Sequence, residues 1–170
     1  MEAVPQRLVR SAEPDCQGQN TIAERLERAV SLCRARGARI TEMRRRVLAL
    51  LCENERPMRA YELIDALKRQ AKKNIGPPTA YRVLEFLISE GLAAKIESQN
   101  AYVACADRVC QHDRLFFVCT SCGDVVEWED QRLERLISED SSRAEFRPNR
   151  ALVEINGTCK TCTAAKTAPT

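Results

Sequence analysis

Two Cys-x-x-Cys pairs constrain this chain more than any other feature. They are Cys119-Thr120-Ser121-Cys122 and Cys159-Lys160-Thr161-Cys162. This spacing lets two thiolates on one tight turn reach adjacent corners of a tetrahedron, and Gly123 suits a turn that needs a positive φ. Two such turns predict a four-cysteine zinc site. The 36 residues between the pairs exceed the roughly 15–20 residues of a zinc ribbon, so a strand and a helix must fold within that segment.

The same pairs have a second interpretation, in which they are unrelated and one is a thioredoxin-like redox motif. That motif stands at the start of a helix in a βαβ unit, and neither pair has this context. A redox enzyme also needs an exposed thiol of low pKa, whereas zinc-bound cysteines are inert until the metal is lost. A thiol-based redox enzyme or a peroxide-sensing regulator remains the alternative. A hydrolytic zinc enzyme is disfavoured because a four-cysteine site is closed.

The composition limits the class of protein. A chain of 170 residues fits one domain or two small ones, and 44% apolar with 30% charged residues excludes a wholly disordered chain. No apolar run approaches the roughly 18 residues of a membrane helix, and the N-terminus lacks the apolar core of a secretion signal. We therefore expect a cytoplasmic protein. Because structural disulfides are rare there, its nine cysteines predict buried thiols, metal ligands or redox groups.

Charge and cysteine divide the chain into two parts. The first 104 residues carry a net charge of +5, and the remainder carries −2. The cysteines divide the other way, with six of the nine from position 105 onward. This distribution predicts a basic N-terminal module and a cysteine-rich C-terminal module.

Four short amphipathic segments precede a hairpin in the basic module. The first helix begins at a capping box formed by Thr21 and Glu24 and ends at Gly37, and the second begins at Thr41. The fourth runs from about Thr79 to Glu90. Short β-like runs at 94–97 and 101–105 follow it. This order predicts a winged helix-turn-helix over residues 21–104, with the following core residues on the helices: Leu26, Ala29, Cys33, Val47, Leu48, Leu51, Cys52, Leu63, Ile64, Leu67, Val83, Leu84 and Leu87.

The pattern changes after position 105. Strands are predicted at 115–119, 125–128 and 151–155, and Asp130 is a predicted helix cap. We expect a small α/β domain at 115–162 after a connecting segment at 105–114, with tails at 1–20 and 163–170. The whole chain is therefore predicted to be α+β.

A second group of potential ligands follows the predicted wing. Cys105, Cys110 and His112 form a C-x4-C-x-H pattern in a polar stretch, and His112 is the only histidine of the chain. Three soft or borderline ligands within eight residues indicate a second metal site. The alternative is a surface cluster with no ligand.

Two groups of basic residues could contact nucleic acid. Tyr81 and Arg82 lie in the first turn of the fourth helix, where a helix-turn-helix enters the major groove and an arginine can bond guanine O6 and N7. Tyr81 could instead be a packing residue. The other group suits either a solvated face or a phosphate track: Arg34, Arg36, Arg39, Arg44, Arg45 and Arg46.

These motifs resemble the ferric uptake regulator family of bacterial metal-sensing repressors, and most of all its zinc uptake regulator branch. The resemblance rests on four motifs. They are Pro-Pro-Thr-Ala-Tyr-Arg at 77–82, Lys95-Ile96-Glu97 with Tyr102 on the wing, the first Cys pair continued to Val125-x-Glu127, and Glu154-x-x-Gly157 before the second pair. Their order and spacing extend over residues 21–162, which is nearly the whole predicted fold.

The resemblance implies a homodimer with winged helices at the N-terminus. It implies a hinge with metal ligands at 105–114 and dimerisation through the α/β domain at 115–162. It implies a structural zinc on the four late cysteines and a regulatory site at Cys105, His112 and Glu127. Ala94 stands where some members of the zinc branch have a ligating histidine, and Arg150 stands where a late histidine is common. Cys110-x-His112 overlays a H-x-H of other members, so Cys110 is a candidate replacement ligand.

Residues and resemblance together predict a zinc-responsive repressor rather than an enzyme. We expect one structural and one regulatory Zn²⁺ per chain and double-stranded operator DNA as the partner, with no membrane association. The predicted DNA contacts are Thr79, Tyr81, Arg82, Arg44 and Arg46.

Overall fold

The computed structural model describes residues 10–11, 21–54, 56–71, 75–105, 114–128, 130–149 and 151–167. The N-terminal elements are β1 (Arg10–Ser11), α1 (Ile22–Ala35), α2 (Glu42–Glu53), β2 (Met58–Arg59), α3 (Ala60–Ala71), α4 (Pro77–Ser89), β3 (Ala93–Ile96), a 3-10 turn (Glu97–Gln99) and β4 (Ala101–Ala104). The C-terminal elements are β5 (Arg114–Cys119), β6 (Val125–Trp128), α5 (Gln131–Arg143), β7 (Leu152–Gly157) and α6 (Lys160–Thr167). The predicted α+β class is confirmed.

The helices begin where their caps predict. Thr21 and Glu24 form the predicted capping box of α1, and the Thr41 side chain accepts a hydrogen bond from the backbone N–H of Arg44 at the start of α2. The helix α4 begins at Pro77, two residues before the predicted start at Thr79. Proline fits this position because the first N–H groups of a helix have no intrahelical partner and proline has none to lose. The predicted helix-turn-helix is therefore formed by α3 and α4.

The first hydrophobic core lies among the four N-terminal helices. Cys33 and Val47 are fully buried there, and so are Leu63, Leu67 and Leu87. Each occupies a position that the apolar periodicity assigns to the inner face of its helix. Cys33 is therefore a core thiol, as predicted, and burial is the largest of the causes that raise its pKa.

The wing is a small antiparallel sheet with the strand order β2-β4-β3. Every residue of β4 is buried, so both faces of the strand are covered. Tyr102 and Ala104 belong to the core of the helices, while Val103 between them belongs to a second core. Alternate residues of a strand point to opposite faces, so the wing lies between two layers.

The C-terminal sheet has the strand order β1-β6-β5-β7. β5 pairs antiparallel with β6 and parallel with β7, which returns after α5. Phe116, Val118 and Val125 of this sheet form the second core together with Ala94 and Ile96 of the wing. Wing and C-terminal sheet therefore share one apolar interface, while the division of the chain at 104/105 stays a prediction.

The structure differs from the sequence prediction at both tails. Thr163 was placed at the start of a C-terminal tail, but it lies within α6, which continues through residues with high helix propensity such as Ala164 and Ala165. The second Cys-x-x-Cys pair, which was not expected at the start of a helix, stands at the start of α6, although no strand follows α6 among the described residues. Within the predicted N-terminal tail, Arg10 and Ser11 pair with Val126 and Glu127 of β6. An edge strand offers unpaired backbone groups to any extended segment, so this pairing needs no sequence periodicity. None of the described helices has both the length and the apolarity to cross a membrane.

Candidate metal centres and nucleic-acid interface

The two Cys-x-x-Cys pairs meet at one end of the C-terminal sheet. The parallel pairing of β5 with β7 places Cys119 opposite Gly157, two residues before Cys159. The backbone N–H of Thr120 donates to the Gly157 carbonyl at 2.8 Å, so the first turn is fixed to the end of β7. β6, α5 and β7 lie within the 36 intervening residues, where the long spacing requires a strand and a helix.

The first turn has the geometry that two neighbouring ligands need. Gly123 has φ 76°, and its N–H donates to the Cys119 carbonyl at 2.9 Å. Glycine adopts this left-handed conformation without steric cost. The turn therefore aims the side chains of Cys119 and Cys122 toward the second pair.

The four sulfur atoms form one cluster. All the Sγ atoms of Cys119, Cys122, Cys159 and Cys162 lie within 4.8 Å of one another, and Cys122 and Cys159 are 3.8 Å apart. Zinc–thiolate bonds of about 2.3 Å at tetrahedral angles place sulfurs about 3.8 Å apart. The donor set and its dimensions therefore fit a zinc ion with four protein ligands.

The thiols of the cluster differ in their pKa. Burial raises the pKa of Cys119, but backbone N–H groups, first that of Cys159, stabilise its thiolate and lower the pKa to about 6. Hydrogen bonds with Cys159 and Cys122 raise the pKa of Cys162 to about 12. Thiolate is the form that ligates zinc, so the environment of Cys119 favours the ligating form of this side chain.

The second ligand group is only partly within the described residues. Cys105 ends β4 and is buried, and Glu127 lies buried in β6. Cys110 and His112 lie outside the described residues. The Cys105 backbone is held from both sides, because its N–H donates to the Leu92 carbonyl at 3.0 Å and its carbonyl accepts from Arg25 at 3.1 Å.

Glu127 already has a cationic partner. Nη1 of Arg114 donates to Oε1 of Glu127 at 2.7 Å, and the two side chains are only 3% and 5% exposed. Nη2 of Arg114 donates to the Gly91 carbonyl at 2.8 Å, just after α4. The sequence analysis missed Arg114. Strand alternation could have found it, since Arg114 lies on the same face of β5 as the buried Phe116.

The helix α4 presents the predicted DNA contacts. Thr79, Tyr81 and Arg82 are exposed in its first two turns, with 45% of Tyr81 accessible. Tyr81 is therefore not a packing residue of the core. Gly76, at the N-cap position of α4, has no side chain that could accept a hydrogen bond from the first N–H groups of the helix.

The arginine run is more internally paired than the sequence indicates. Arg45 pairs with Glu27 at 2.6 Å and Arg46 with Glu42 at 2.9 Å. The guanidinium of Arg44 lies 3.3 Å from the centre of the Phe86 ring on α4. Arg44 therefore packs α2 against α4, a contact that cation–π attraction stabilises. Glu42 is the one acidic residue within the run, and Glu27 and Glu90 from outside the run add two acidic partners.

An apolar surface covers the outer side of the C-terminal elements. Phe117 and Trp128 form an edge-to-face pair with ring centroids 6.0 Å apart, yet each is about 40% exposed. The helix α5 is amphipathic but has no buried residue. Five large apolar side chains are exposed here: Phe117, Trp128, Leu136, Phe146 and Ile155. A surface of this kind indicates contact with another protein.

A winged helix joined to an α/β unit with a thiolate metal centre defines a class of metal-binding, DNA-binding proteins. The family model described as "Ferric uptake regulator family" matches residues 35–156, and the chain belongs to this family.

The chain is similar to several zinc uptake regulators. It is 34% identical to the zinc uptake regulation protein of Escherichia coli (strain K12), over 84% of this chain and 83% of that protein. It is 32% identical to that of Mycobacterium tuberculosis (strain ATCC 25618 / H37Rv), over 75% and 97%. Among solved structures, a zinc uptake regulator complexed with zinc and DNA has a TM-score of 0.78 at 32% identity, covering 87% of this chain and 99% of that chain. Holo XcZur has a TM-score of 0.72 at 36% identity, covering 82% and 96%.

Proposed function

We propose that this protein is a zinc-responsive transcriptional repressor that binds operator DNA as a homodimer and controls zinc uptake genes. One observation carries the proposal: the fold matches a zinc uptake regulator complexed with zinc and DNA at a TM-score of 0.78 over 87% of this chain. Because its partner is chromosomal DNA, the protein acts in the cytoplasm.

The four-cysteine cluster is assigned a structural role. When bound, zinc supplies a four-coordinate cross-link between two turns. The four thiols would fill a tetrahedral shell, leaving no open position for a substrate. Cys119 and Cys122 at the end of β5 would thereby be tied to Cys159 and Cys162 at the start of α6. The cluster therefore stabilises the C-terminal fold rather than catalysing a reaction.

The regulatory site is assigned to Cys105, Cys110, His112 and Glu127. Two described members support the assignment, since Cys105 and Glu127 are both buried near the junction of wing and sheet. Arg114 neutralises Glu127 there and orients its carboxylate, as hydrogen-bonding partners of ligating carboxylates do. The sensing arrangement thus includes a fifth residue that is not a ligand.

Residues on α4 are assigned to operator recognition. Arg82 would read a guanine in the major groove, with Tyr81 and Thr79 contacting neighbouring groups. Arg44 and Arg46 are assigned to phosphates. Arg46 is the stronger candidate of the two, because it is exposed and held only by an i,i+4 pair with Glu42, which contributes little in water.

The exposed apolar surface around Phe117 and Trp128 is assigned to the dimer contact. A second copy would cover the unburied face of α5 and the outer face of the sheet. The two recognition helices would then lie at a fixed separation, as a two-fold symmetric operator requires.

A thiol-redox function is less consistent with the site. Cys119 has the lowered pKa of a reactive thiol, but it is only 5% exposed and lies among three other sulfurs. An oxidant needs access to the thiolate. Counting metal ions and titratable thiols in the native protein separates the two functions, because a zinc site protects its cysteines.

Operator binding titrated against Zn²⁺ tests the proposed function. Affinity for operator DNA should rise with zinc and fall when a chelator removes it.

Arg82→Ala should cost about 1–3 kcal/mol of binding free energy at the contacted base pair and relax sequence preference. Arg46→Ala should weaken binding to all sequences and reduce the salt dependence. An Arg82→Ala protein with unchanged preference would contradict the placement of α4 in the major groove.

A further inference from the structure

The turn at the tip of the wing is capped by a residue of the C-terminal sheet. The 3-10 turn Glu97–Gln99 follows Ile96, which provides no side-chain cap. The first N–H groups of a helical turn need an acceptor from elsewhere. Oε1 of Glu154, on β7, accepts from the Glu97 N–H at 2.5 Å, and Oε2 accepts from the Ser98 N–H at 3.1 Å. One carboxylate thus satisfies two backbone donors that lie more than fifty residues earlier in the chain.

A second hydrogen bond joins the same turn to the four-cysteine cluster. Nε2 of Gln99 donates to the Gly123 carbonyl at 3.2 Å. Gly123 belongs to the turn that carries Cys119 and Cys122, so the wing tip contacts the backbone of the metal centre. Below these bonds, Ile96 of the wing packs in the second core with Val118 of β5.

The wing is directly continuous with the recognition helix. α4 ends at Ser89, and β3 begins only four residues later at Ala93. A short connection of this kind transmits a rotation of the wing to the helix. The orientation of α4 relative to the C-terminal sheet therefore depends on how firmly the wing is held.

We propose that Glu154 is a positioning residue that fixes the angle between the winged helix and the C-terminal sheet by capping the wing turn. In the homodimer, this angle sets the separation of the two recognition helices and hence the match to the half-sites. Glu154 acts through the wing and does not contact DNA. The proposal rests on the proposed function, since it assigns a part in operator binding.

The sign of the expected effect distinguishes positioning from simple electrostatics. Removing a carboxylate from a DNA-binding protein removes a charge that repels phosphate, so electrostatics alone predicts tighter binding. The positioning role predicts weaker binding. We expect Glu154→Ala to lower the operator affinity of the zinc-loaded dimer about tenfold, within the range of about 5–150-fold for coupled sites. Glu53→Ala at the end of α2 makes the same change of charge at an exposed position outside the proposed DNA and dimer contacts, and it should leave the affinity equal or slightly higher.

Two further measurements report on the position of the recognition helices and on the cap of the wing turn. Inserting one base pair between the half-sites should weaken the wild-type protein more than Glu154→Ala, because the variant can adjust its recognition helices. Amide exchange at Glu97 and Ser98 should be faster in Glu154→Ala and intermediate in Glu154→Gln, since the amide keeps one acceptor oxygen of the two. Zinc content and dimerisation should be unchanged in both variants.

The outcomes separate this proposal from the proposed function. Equal operator affinity and equal sensitivity to half-site spacing in wild type and Glu154→Ala would overturn it. If Glu154→Ala does not fold, Gln99→Ala tests the same turn without a change of charge. A several-fold loss of affinity is expected there, and wild-type affinity would overturn the proposal. If the wild type shows no zinc-dependent operator binding, the proposed function fails, whereas unchanged exchange at Glu97 and Ser98 refutes the cap alone.

Discussion

The four-cysteine cluster and the second ligand group are built in opposite ways. The cluster takes two ligands from the turn that ends β5 and two from the start of α6, and the parallel register of β5 and β7 brings these together. The second group combines Cys105 at the end of β4, two residues of the segment 106–113, and Glu127 in the middle of β6. The first is therefore set by local geometry, and the second by how the wing lies against the C-terminal sheet.

The charges of the two groups differ as well. The cluster consists of four cysteines, and backbone N–H groups that donate to Cys119 lower the pKa of this thiol. In the second group, Glu127 shares its buried charge with Arg114, which also binds the carbonyl of Gly91 beyond the recognition helix. A metal ion bound to the four cysteines would be their shared partner. A metal ion at the second group would have to share Glu127 with Arg114. This difference fits a permanent site and an exchangeable one.

The largest expected effect follows from removing a ligand of the cluster. Cys119→Ser should unfold or monomerise the C-terminal part, because structural zinc contributes folding free energy directly, about 10–16 kcal/mol in zinc-finger peptides. Zinc content, circular dichroism and size-exclusion chromatography check this. Cys16→Ser, which lies in neither motif, is the control. A dimeric Cys119→Ser protein that keeps its zinc would remove the distinction between a structural and a regulatory group.

The next largest effect concerns the buried ion pair. Arg114→Met should destabilise the protein by about 3–5 kcal/mol, because it removes the cation that lies 2.7 Å from the buried carboxylate of Glu127. If Glu127 is a zinc ligand, zinc should restore more stability to this variant than to the wild type, since a bound cation replaces the missing charge. Thermal denaturation with and without Zn²⁺ measures this.

The double variant Arg114→Met/Glu127→Gln is the control for the ion pair. It removes both charges, so it should be more stable than Arg114→Met and should lose the extra response to zinc. An equal gain from zinc in wild type and Arg114→Met would show that Glu127 is not a ligand. The second group would then consist of Cys105, Cys110 and His112 alone.

The same contrast explains which features the sequence could predict. The capping box of Thr21 and Glu24 and the turn at Gly123 depend on neighbours within a few residues, and both were predicted correctly. The pairings of Arg114 with Glu127 and of Arg45 with Glu27 join distant elements. Such pairs depend on the final orientation of layers, which apolar periodicity does not specify.

The wing gives a further example of a missed long-range contact. The hairpin itself was predicted from two short β-like runs on either side of Ser98-Gln99-Asn100. Its second apolar face, with Val103 directed to the C-terminal sheet, was not predicted. The residues of β4 are small or apolar at every position, so an alternation of buried and exposed sides is absent from the sequence, and only the structure shows that both faces are covered.

A smaller effect is expected for the softest donor of the second group. Cys105→Ser should leave a folded dimer with its structural zinc but remove the zinc-dependent gain in operator affinity, a coupling of about 1–3 kcal/mol. Serine stays protonated at neutral pH and is a far poorer ligand than thiolate. Zinc stoichiometry and operator affinity must be measured on the same preparation, because only together do they separate lost metal from lost fold. A zinc-responsive Cys105→Ser protein would contradict the sensing role of this group.

The smallest effect, and the sharpest test of the second group, concerns Cys110. Ala94, at the position where related regulators can carry a ligating histidine, is fully buried in the same core as Cys105, so this position supplies no donor. Cys110 is the thiol nearest in sequence that could replace it. Cys110→Ser should then weaken zinc binding at the regulatory site while the structural zinc remains, because Cys105, His112 and Glu127 still provide three ligands. The measurement is a zinc titration of operator affinity beside Cys105→Ser. A titration identical to wild type would show that Cys110 is no ligand and that a group outside these four residues completes the shell.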